Sequence, residues 1–434
     1  MHNHSSRVAS LLTVITLGTA IALSFERTPL QENEPPKTHW YKGNLHTHSL
    51  WSDGDDFPDS IVARYKRMGY HFLALTDHNI LSEKQRYIAT HTLEPGALAR
   101  YKTAFGPSWV ETRTIRGEQQ VRLKPLRELR SLFDEPDTFL LIQGEEITDQ
   151  FLDSNGTSYP VHLNATNLRD LILPQGGNSV SQTIQNNVRA VKEQRAVTER
   201  PMIVHLNHPN FGWGVTAEDL LPDENGMFFE VYNGHPSVRN YGDPSHASTE
   251  RIWDIVLTHR IAEQNGSPLF GVATDDSHNY HEFSNLKSNP GRGWIVVRAS
   301  QLTAESIIHA MEEGDFYCST GVTLEDIRFD GKTLQIQIQP ENGVSYQTEF
   351  IGTRRGFDNA SSAVVDADGK DLHATRRYSN EIGMVLKKTK GLLPSYDLQG
   401  NELYIRARIR STKSQPNPFE EGDQERAWTQ PVFP

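Results

Sequence analysis

Short apolar runs alternate with segments of helical spacing over most of the chain. His71-Phe72-Leu73-Ala74-Leu75-Thr76 reads as a buried strand, and so do Phe139–Ile142, Met202–Val204, Phe228–Val231 and Leu269–Ala273. Between them, Val180, Ile184, Val188 and Val191 recur on one helix face, and Ile252, Ile255 and Val256 do so later. Strands alternating with helices predict an α/β fold with a parallel sheet, and this many repeats across residues 40–321 predict a barrel. Residues 81–138 are longer and more charged than a simple crossover and read as an insertion near the mouth of the site. After residue 322 the period becomes two, as in Thr333–Ile338 and Leu403–Ile409, with Gly, Asp and Asn turn signals between such runs. This predicts a smaller antiparallel, sandwich-like β domain over 322–434. Its closing Ala427-Trp428-Thr429-Gln430-Pro431 is placed to dock back onto the body.

The first 25 residues follow neither pattern. Arg7 precedes an uncharged stretch, Val8–Phe25, that Glu26 ends, and Ala20-Ile21-Ala22 offers small residues at signal-peptidase spacing. The stretch is marginal in length for a membrane span. A cleaved signal peptide is therefore favoured over an N-terminal anchor, with 26–39 as a linker and a periplasmic or secreted mature protein. The composition is that of a soluble globular chain: 434 residues, 36% apolar, with Gly and Pro spread along it. A net charge of −12 without a basic run argues against a nucleic-acid partner and for a small-molecule substrate. The one cysteine, Cys318, excludes an intrachain disulfide and a multi-thiolate site. Any metal must be held by imidazole and carboxylate.

Such residues recur where strands end. His46-Thr47-His48 places two imidazoles on one side of an extended segment, with Asp53 brought within reach by the turn at Gly54. Thr76-Asp77-His78-Asn79, Glu145-Glu146, His162, His205-Leu206-Asn207-His208-Pro209 and Asp275-Asp276-Ser277-His278 follow or end apolar runs. Adjacent carboxylates face opposite sides of a strand, so at most one of Glu145 and Glu146 can enter a site. Singly, each motif has an ordinary structural reading. Jointly, unpaired carboxylates converging at one mouth would repel and resist desolvation unless divalent cations lie between them.

The motifs HTHSLWSDG, TDHN, GEEIT, VHLN, NHPN and DDSH, in this order over residues 40–315, resemble the PHP (polymerase and histidinol phosphatase) metallohydrolases. The resemblance implies a distorted (β/α)7 barrel and a di- or trinuclear site of Zn, Mn or Fe. Matched by motif, it implies His46, His48, Asp53, His78, Glu146, His162, His208, Asp276 and His278 as ligands. Glu146 is chosen over Glu145 by the Gly-x-Glu pattern, His208 over His205 by the following Pro, and Asp276 over Asp275 by the Asp-x-His spacing. Leu302–Gly321 and the closing AWTQP also resemble a subgroup with a C-terminal β domain, associated with carbamate and ester hydrolysis and including the carbaryl hydrolases.

The expected chemistry is hydrolysis by a hydroxide shared between two close ions, with Glu146, Asp276 and His278 as catalytic residues. Asp77, Asn79 and Thr148 are candidates for orienting the ligands, and His235 and Arg239 for contacting substrate. Phosphoester hydrolysis of a small compound is the first expectation. Carbamate, ester or amide hydrolysis by the same site is the second, kept open by Trp51, Phe57, Phe211, Trp213 and Tyr232 near the motifs. A non-catalytic binding protein is the third.

Overall fold

The computed structural model describes residues 38–434 apart from 223, 225, 264 and 265. The expected leader, and the linker up to residue 37, lie outside the described residues. No helix among the described residues is long and apolar enough to cross a membrane.

Among the described residues, the main sheet has thirteen strands. From one edge they run Phe270–Thr274, Phe228–Asn233, Ile203–Leu206, Ser158–Thr166, Leu140–Leu152, Phe72–Leu75, His39–Asn44, Trp294–Ala299, Phe316–Ser319, Gln424–Thr429, Glu402–Ser414, Tyr346–Arg354 and Met384–Lys390. The five apolar runs seen in the sequence all supply strands here. Phe72–Leu75, Ile203–Leu206, Phe228–Asn233 and Phe270–Thr274 are buried along their whole length. Helix Val180–Thr198 starts at Ser179, whose side chain accepts from Gln182 N, and buries Val180, Ile184, Val188 and Val191.

Two expectations need correction. The sheet is not all parallel: Ser158–Thr166 runs antiparallel to both its neighbours, and the strands from Trp294–Ala299 onward also pair antiparallel. For Ser158–Thr166 the cause is local. Asn155-Gly156, with Gly156 at φ 80°, turns the chain, and Asp153 accepts from the amides of Asn155 and Thr157, so a hairpin forms instead of a crossover. Nor is the expected barrel closed. Phe270–Thr274 and His39–Asn44 share no ladder, and the segments that follow them are joined at the mouth by an isolated bridge between Thr47 and Ser277. There, His48 N donates to Ser277 O at 3.0 Å and Asp276 N to His46 O at 3.1 Å. His39–Asn44 pairs instead with Trp294–Ala299, which carries the sheet on into the C-terminal strands.

The C-terminal region is thus joined to the rest by continuous hydrogen bonding. Its second sheet, Leu324–Phe329, Thr333–Ile338 and Ser395–Asp397, puts Leu334, Ile336 and Ile338 against Phe350, Ile405, Ala407 and Ile409. This is the period-two pattern packed as a sandwich. The AWTQP segment docks as expected: Ala427–Thr429 pairs with Tyr317–Ser319. Gln430 then clamps the edge strand, with Gly271 N donating to its Oε1 at 2.9 Å and its Nε2 donating to Gly271 O at 2.8 Å. Arg406, fully buried, is held by Asp254 at 2.7 Å.

The 81–138 segment forms its own three-stranded antiparallel sheet, Arg86–Ala89, Glu118–Leu123 and Thr112–Ile115, with helices Ala97–Phe105 and Leu126–Phe133. It packs on the loop that carries Asp53. Phe57 stacks on Tyr101 at 3.9 Å, and Trp51 Nε1 donates to Lys124 O at 3.2 Å.

Gln430→Ala leaves both backbone groups of Gly271 without these partners in a buried setting. Urea denaturation is expected to show a loss of about 1–3 kcal/mol. An unchanged midpoint would mean that the clamp contributes nothing.

Candidate metal centre

Local structure brings each motif to the mouth. Asp77, buried behind the HTH segment, organises residues 49–54: its Oδ1 accepts from Ser49 N at 2.8 Å and Ser52 N at 3.0 Å, and its Oδ2 from Ser49 Oγ at 2.8 Å. Gly54 lies so close to the chain that a Cβ there would sit 2.5 Å from His48 O, so the turn requires glycine. Asn79 adopts φ 51° and exchanges two hydrogen bonds with the backbone of Thr148. His208 and Asp276, each just past a strand end, have φ of 22° and 48°. Non-glycine residues with positive φ are uncommon and costly, and they cluster where function holds them in place.

All nine motif residues converge. Glu146 sits at the centre, 1% exposed. Its Oε2 is 3.4 Å from His46 Nε2, 3.2 Å from His48 Nε2 and 2.9 Å from His78 Nδ1. Its Oε1 is 3.1 Å from His162 Nδ1 and 3.3 Å from His208 Nε2. Asp276 Oδ1 lies 3.2 Å from the Nε2 atoms of both His46 and His48. Asp53 reaches His78 and His278, each at 3.4 Å.

The atoms fall into three overlapping groups. One is His46, His48, Glu146 and Asp276, the second Glu146, His162 and His208, and the third Asp53, His78 and His278 with His48 beside them. Within these, sets of three or four donor atoms lie within 4.8 Å of one another, which fits a metal site. Several donors also lack a hydrogen-bond partner despite being buried: His46 Nε2, His48 Nε2, Glu146 Oε2 and His162 Nδ1. Buried polar atoms left unpaired are costly, so atoms aimed at a common point suit a shared cation.

The charges press the same way. Burial alone would lower the pKa of His46, but Asp276, Glu230 and Glu146 outweigh it and hold the imidazole well above its usual range. His78 is pushed to about 10, where Glu146 and Asp53 overcome burial. His278 is raised by Asp53 and Asp276 against burial. Burial would raise Glu146, Asp276 and Asp53, yet the surrounding imidazoles hold all three well below the carboxylate range. Without metal, protons on the imidazoles offset the carboxylates; a divalent ion offers the same compensation.

Of the neighbouring alternatives, Glu145 and Asp275 point elsewhere, while His205 groups with His46 and Glu230 behind the cluster. Glu145 accepts from Ile172 N at 2.7 Å on the far side of the strand, and burial raises it to about 8. Asp275 accepts from Tyr65 Oη and the amides of Gly291, Arg292 and Gly293. His205 is buried behind His46, 3.6 Å from Glu230.

Glu230 is the residue that the sequence reading missed. Its Oε1 is 2.7 Å from His46 Nδ1 and accepts from Thr274 Oγ1 at 2.6 Å, while its Oε2 accepts from His208 N and Asn233 Nδ2, both at 2.7 Å. A carboxylate on the remote nitrogen of a ligating histidine fixes its tautomer and orientation. The available signal was an acidic side chain inside the apolar run Phe228-Phe229-Glu230-Val231.

Of the two expected substrate contacts, His235 is at the mouth, its ring 5.4 Å from that of His278. Burial, with His278 and His208 adding to it and Asp276 opposing, lowers it to about 4. Arg239 is exposed and lies over Trp213 at 5.0 Å, with no ion pair to a described carboxylate of the cluster.

No family model and no curated protein matches the chain. Solved structures align with it at low similarity. A two-domain protein from Bacteroides vulgatus containing a predicted PHP-like metal-dependent phosphoesterase is 15% identical over 91% of this chain and 96% of its own, with a TM-score of 0.37. A Bifidobacterium adolescentis protein described as a candidate metal-dependent phosphoesterase is 13% identical over 54% of this chain and 87% of its own, with a TM-score of 0.28. PsfC from Pseudomonas syringae is 12% identical over 63% and 96%, also with a TM-score of 0.28. Two of these neighbours are named for metal-dependent phosphoester chemistry.

In chelator-treated protein, the stability contributed by His78 is present below the unfolded value of about 6.5 and is lost as pH rises towards its folded value of about 10. The gap in urea midpoint between wild type and His78→Gln should shrink across that interval. Loading with a divalent ion at pH 8 should release protons, read by calorimetry in buffers of different ionisation enthalpy. Loading without proton release would contradict the charge arrangement.

Proposed function

We propose that this cluster holds two or three divalent ions, of Zn, Mn or Fe, and that the protein is a PHP-type metal-dependent hydrolase of small phosphoesters. The observation that carries this reading is Glu146, whose two oxygens face separate sets of imidazoles and so suit a bridging carboxylate. With it, His46, His48 and Asp276 would hold one ion and His162 and His208 a second, while Asp53, His78 and His278 would hold a third. When bound, such ions supply a nucleophile from water near neutral pH and polarise the scissile bond.

The chain's own residues set orientation. Glu230 fixes the His46 ring, and Asn233 Nδ2 donates to Asp276 Oδ2 at 3.1 Å, leaving Oδ1 towards the histidines. His235 Nδ1 accepts from Ser237 N at 3.1 Å, which assigns the ring proton to Nε2. That N–H is positioned to donate to a substrate oxygen at the mouth. Three divalent ions would outweigh the carboxylates of Asp53, Glu146, Glu230 and Asp276, and the resulting positive field favours an anionic substrate.

Carbamate or ester hydrolysis is the second reading, favoured by Phe211, whose ring stands 5.1 Å from His208 and 5.9 Å from His162 as an apolar wall. The test is a panel of p-nitrophenyl phosphate, a phosphodiester, acetate and carbamate, run with Mn, Zn and Fe on wild type, Glu146→Gln and Glu145→Gln. Phosphoester turnover should dominate and fall at least about 100-fold in Glu146→Gln, with the Glu145 variant keeping both metal and activity. Faster carbamate or acetate turnover moves the assignment to the second reading. Metal binding without turnover of any substrate supports a non-catalytic binding protein.

The Val8–Phe25 stretch also supports export, by a cleaved signal peptide rather than an anchor. N-terminal sequencing of the protein from the periplasm or medium should begin near residue 23. Recovery only from the cytoplasm would overturn this.

A further inference from the structure

A second polar cavity, of about 250 Å3, lies between the start of helix Thr249–Glu263 and the C-terminal strands. It is separate from the metal cluster: Val231 and Tyr232 line it, while Glu230 of the same strand serves His46. Its far wall carries Arg408, Arg410 and Arg426.

The placement of these arginines is unusual. Arg410 and Arg426 are directly paired across neighbouring strands, and Arg408 lies two positions along on the same face, opposite Trp428. Like charges in paired cross-strand positions destabilise a sheet unless something lies between them.

The protein's own carboxylates are already taken. Glu250 is held by Arg408 at 3.0 Å and approached by Arg406 at 3.4 Å. Asp254 is held by Arg406. Glu349 pairs with Arg408 at 2.6 Å and Lys388 at 2.8 Å. Asp423 accepts from Arg426 at 3.0 Å and from Tyr241 Oη at 2.8 Å. Arg410 is left over: its exposed side chain makes no hydrogen bond or ion pair to any described residue, and partial desolvation with the Arg408 and Arg426 charges disfavours its own charge, against Glu349 and Glu250. The N-terminal end of the helix, at Ser248, Thr249 and Glu250, also lines the cavity; its dipole end favours an anion, and the Glu250 carboxylate there is offset by Arg408 and Arg406.

We infer that this cavity is a binding site for a phosphate-type oxyanion, held by Arg410 and Arg426 against the start of helix Thr249–Glu263. Guanidinium forks match a tetrahedral oxyanion by paired N–H donors, and the unpaired Arg410 gives such an anion a full countercharge. The site needs no metal. Asn240, on its wall, donates to Asn233 O at 2.8 Å, and Asn233 contacts Asp276, so the anion would sit one residue removed from the metal cluster.

The test is isothermal titration of the full chain with inorganic phosphate and, separately, glycerol 3-phosphate, at constant ionic strength. It is run on metal-loaded and on chelator-treated protein, which separates this cavity from phosphate binding at the metals. The expected result is saturable binding that survives chelation and weakens at least tenfold in Arg410→Ala and Arg410→Gln. Arg410 is exposed, so both variants should keep the wild-type unfolding midpoint. The tighter of the two titrants tells whether the site takes free phosphate or a phosphorylated group on a larger molecule. Absence of saturable binding after chelation, or equal binding by both variants, overturns the proposal and leaves the arginines as internal ion-pair partners only.

Discussion

Glu146 and Asp276 approach the same two imidazole nitrogens, those of His46 and His48, at 3.2–3.4 Å, and both carboxylates are almost fully withdrawn from water. Anions so placed repel each other and have lost their hydration, and among the described residues only imidazole nitrogens approach Glu146 Oε2. The mouth of the sheet makes sense around that conflict. The left-handed backbone at His208 and Asp276, the Asp77 network beneath the HTH turn and the Glu230 carboxylate behind His46 all hold donors aimed at common points, at a cost in folding free energy. A fold selected for stability alone would pair these groups or replace them with apolar ones.

Much of this was legible in the sequence because it is local. Strand parity says that only one of Glu145 and Glu146 can enter the site, the motif resemblance picks Glu146, and the structure has Glu145 on the opposite side, against Ile172 N. Asp276 and His278 both reach the cluster although they lie past the strand end and Asp276 has left-handed backbone, because the Thr47–Ser277 bridge and the bond from Asp276 N to His46 O anchor that segment beside the HTH residues. Glu230 was legible only as an acidic side chain inside an apolar run, because only the fold shows which strand passes behind His46.

The architecture was harder to read because it depends on pairing between distant segments. Residues 316–319 and 424–429 are joined edge to edge, so a change of hydrophobic period near 322 marks a change of sheet face and not a break in hydrogen bonding. The hairpin at Asn155-Gly156 carried a readable turn signal, and it is one of two breaks in the parallel order, the other being the antiparallel pairing of His39–Asn44 with Trp294–Ala299. Closure of the expected barrel failed for a different reason. His39–Asn44 has its free edge taken by Trp294–Ala299, and a strand can have only two neighbours.

The Gln430 clamp on Gly271 spans 159 residues. Gly271 lies in the strand that leads into Asp276 and His278, and its backbone groups stay unclamped until residue 430 has been made. At about 5–20 residues per second, that delay is roughly 8–30 s. For all of that time the His46/His48 pair already exists on the growing chain. The parts of the centre thus become available in order, with the two-imidazole fragment made first, the carboxylates later, and the residue that clamps the Gly271 strand made 159 residues after that strand.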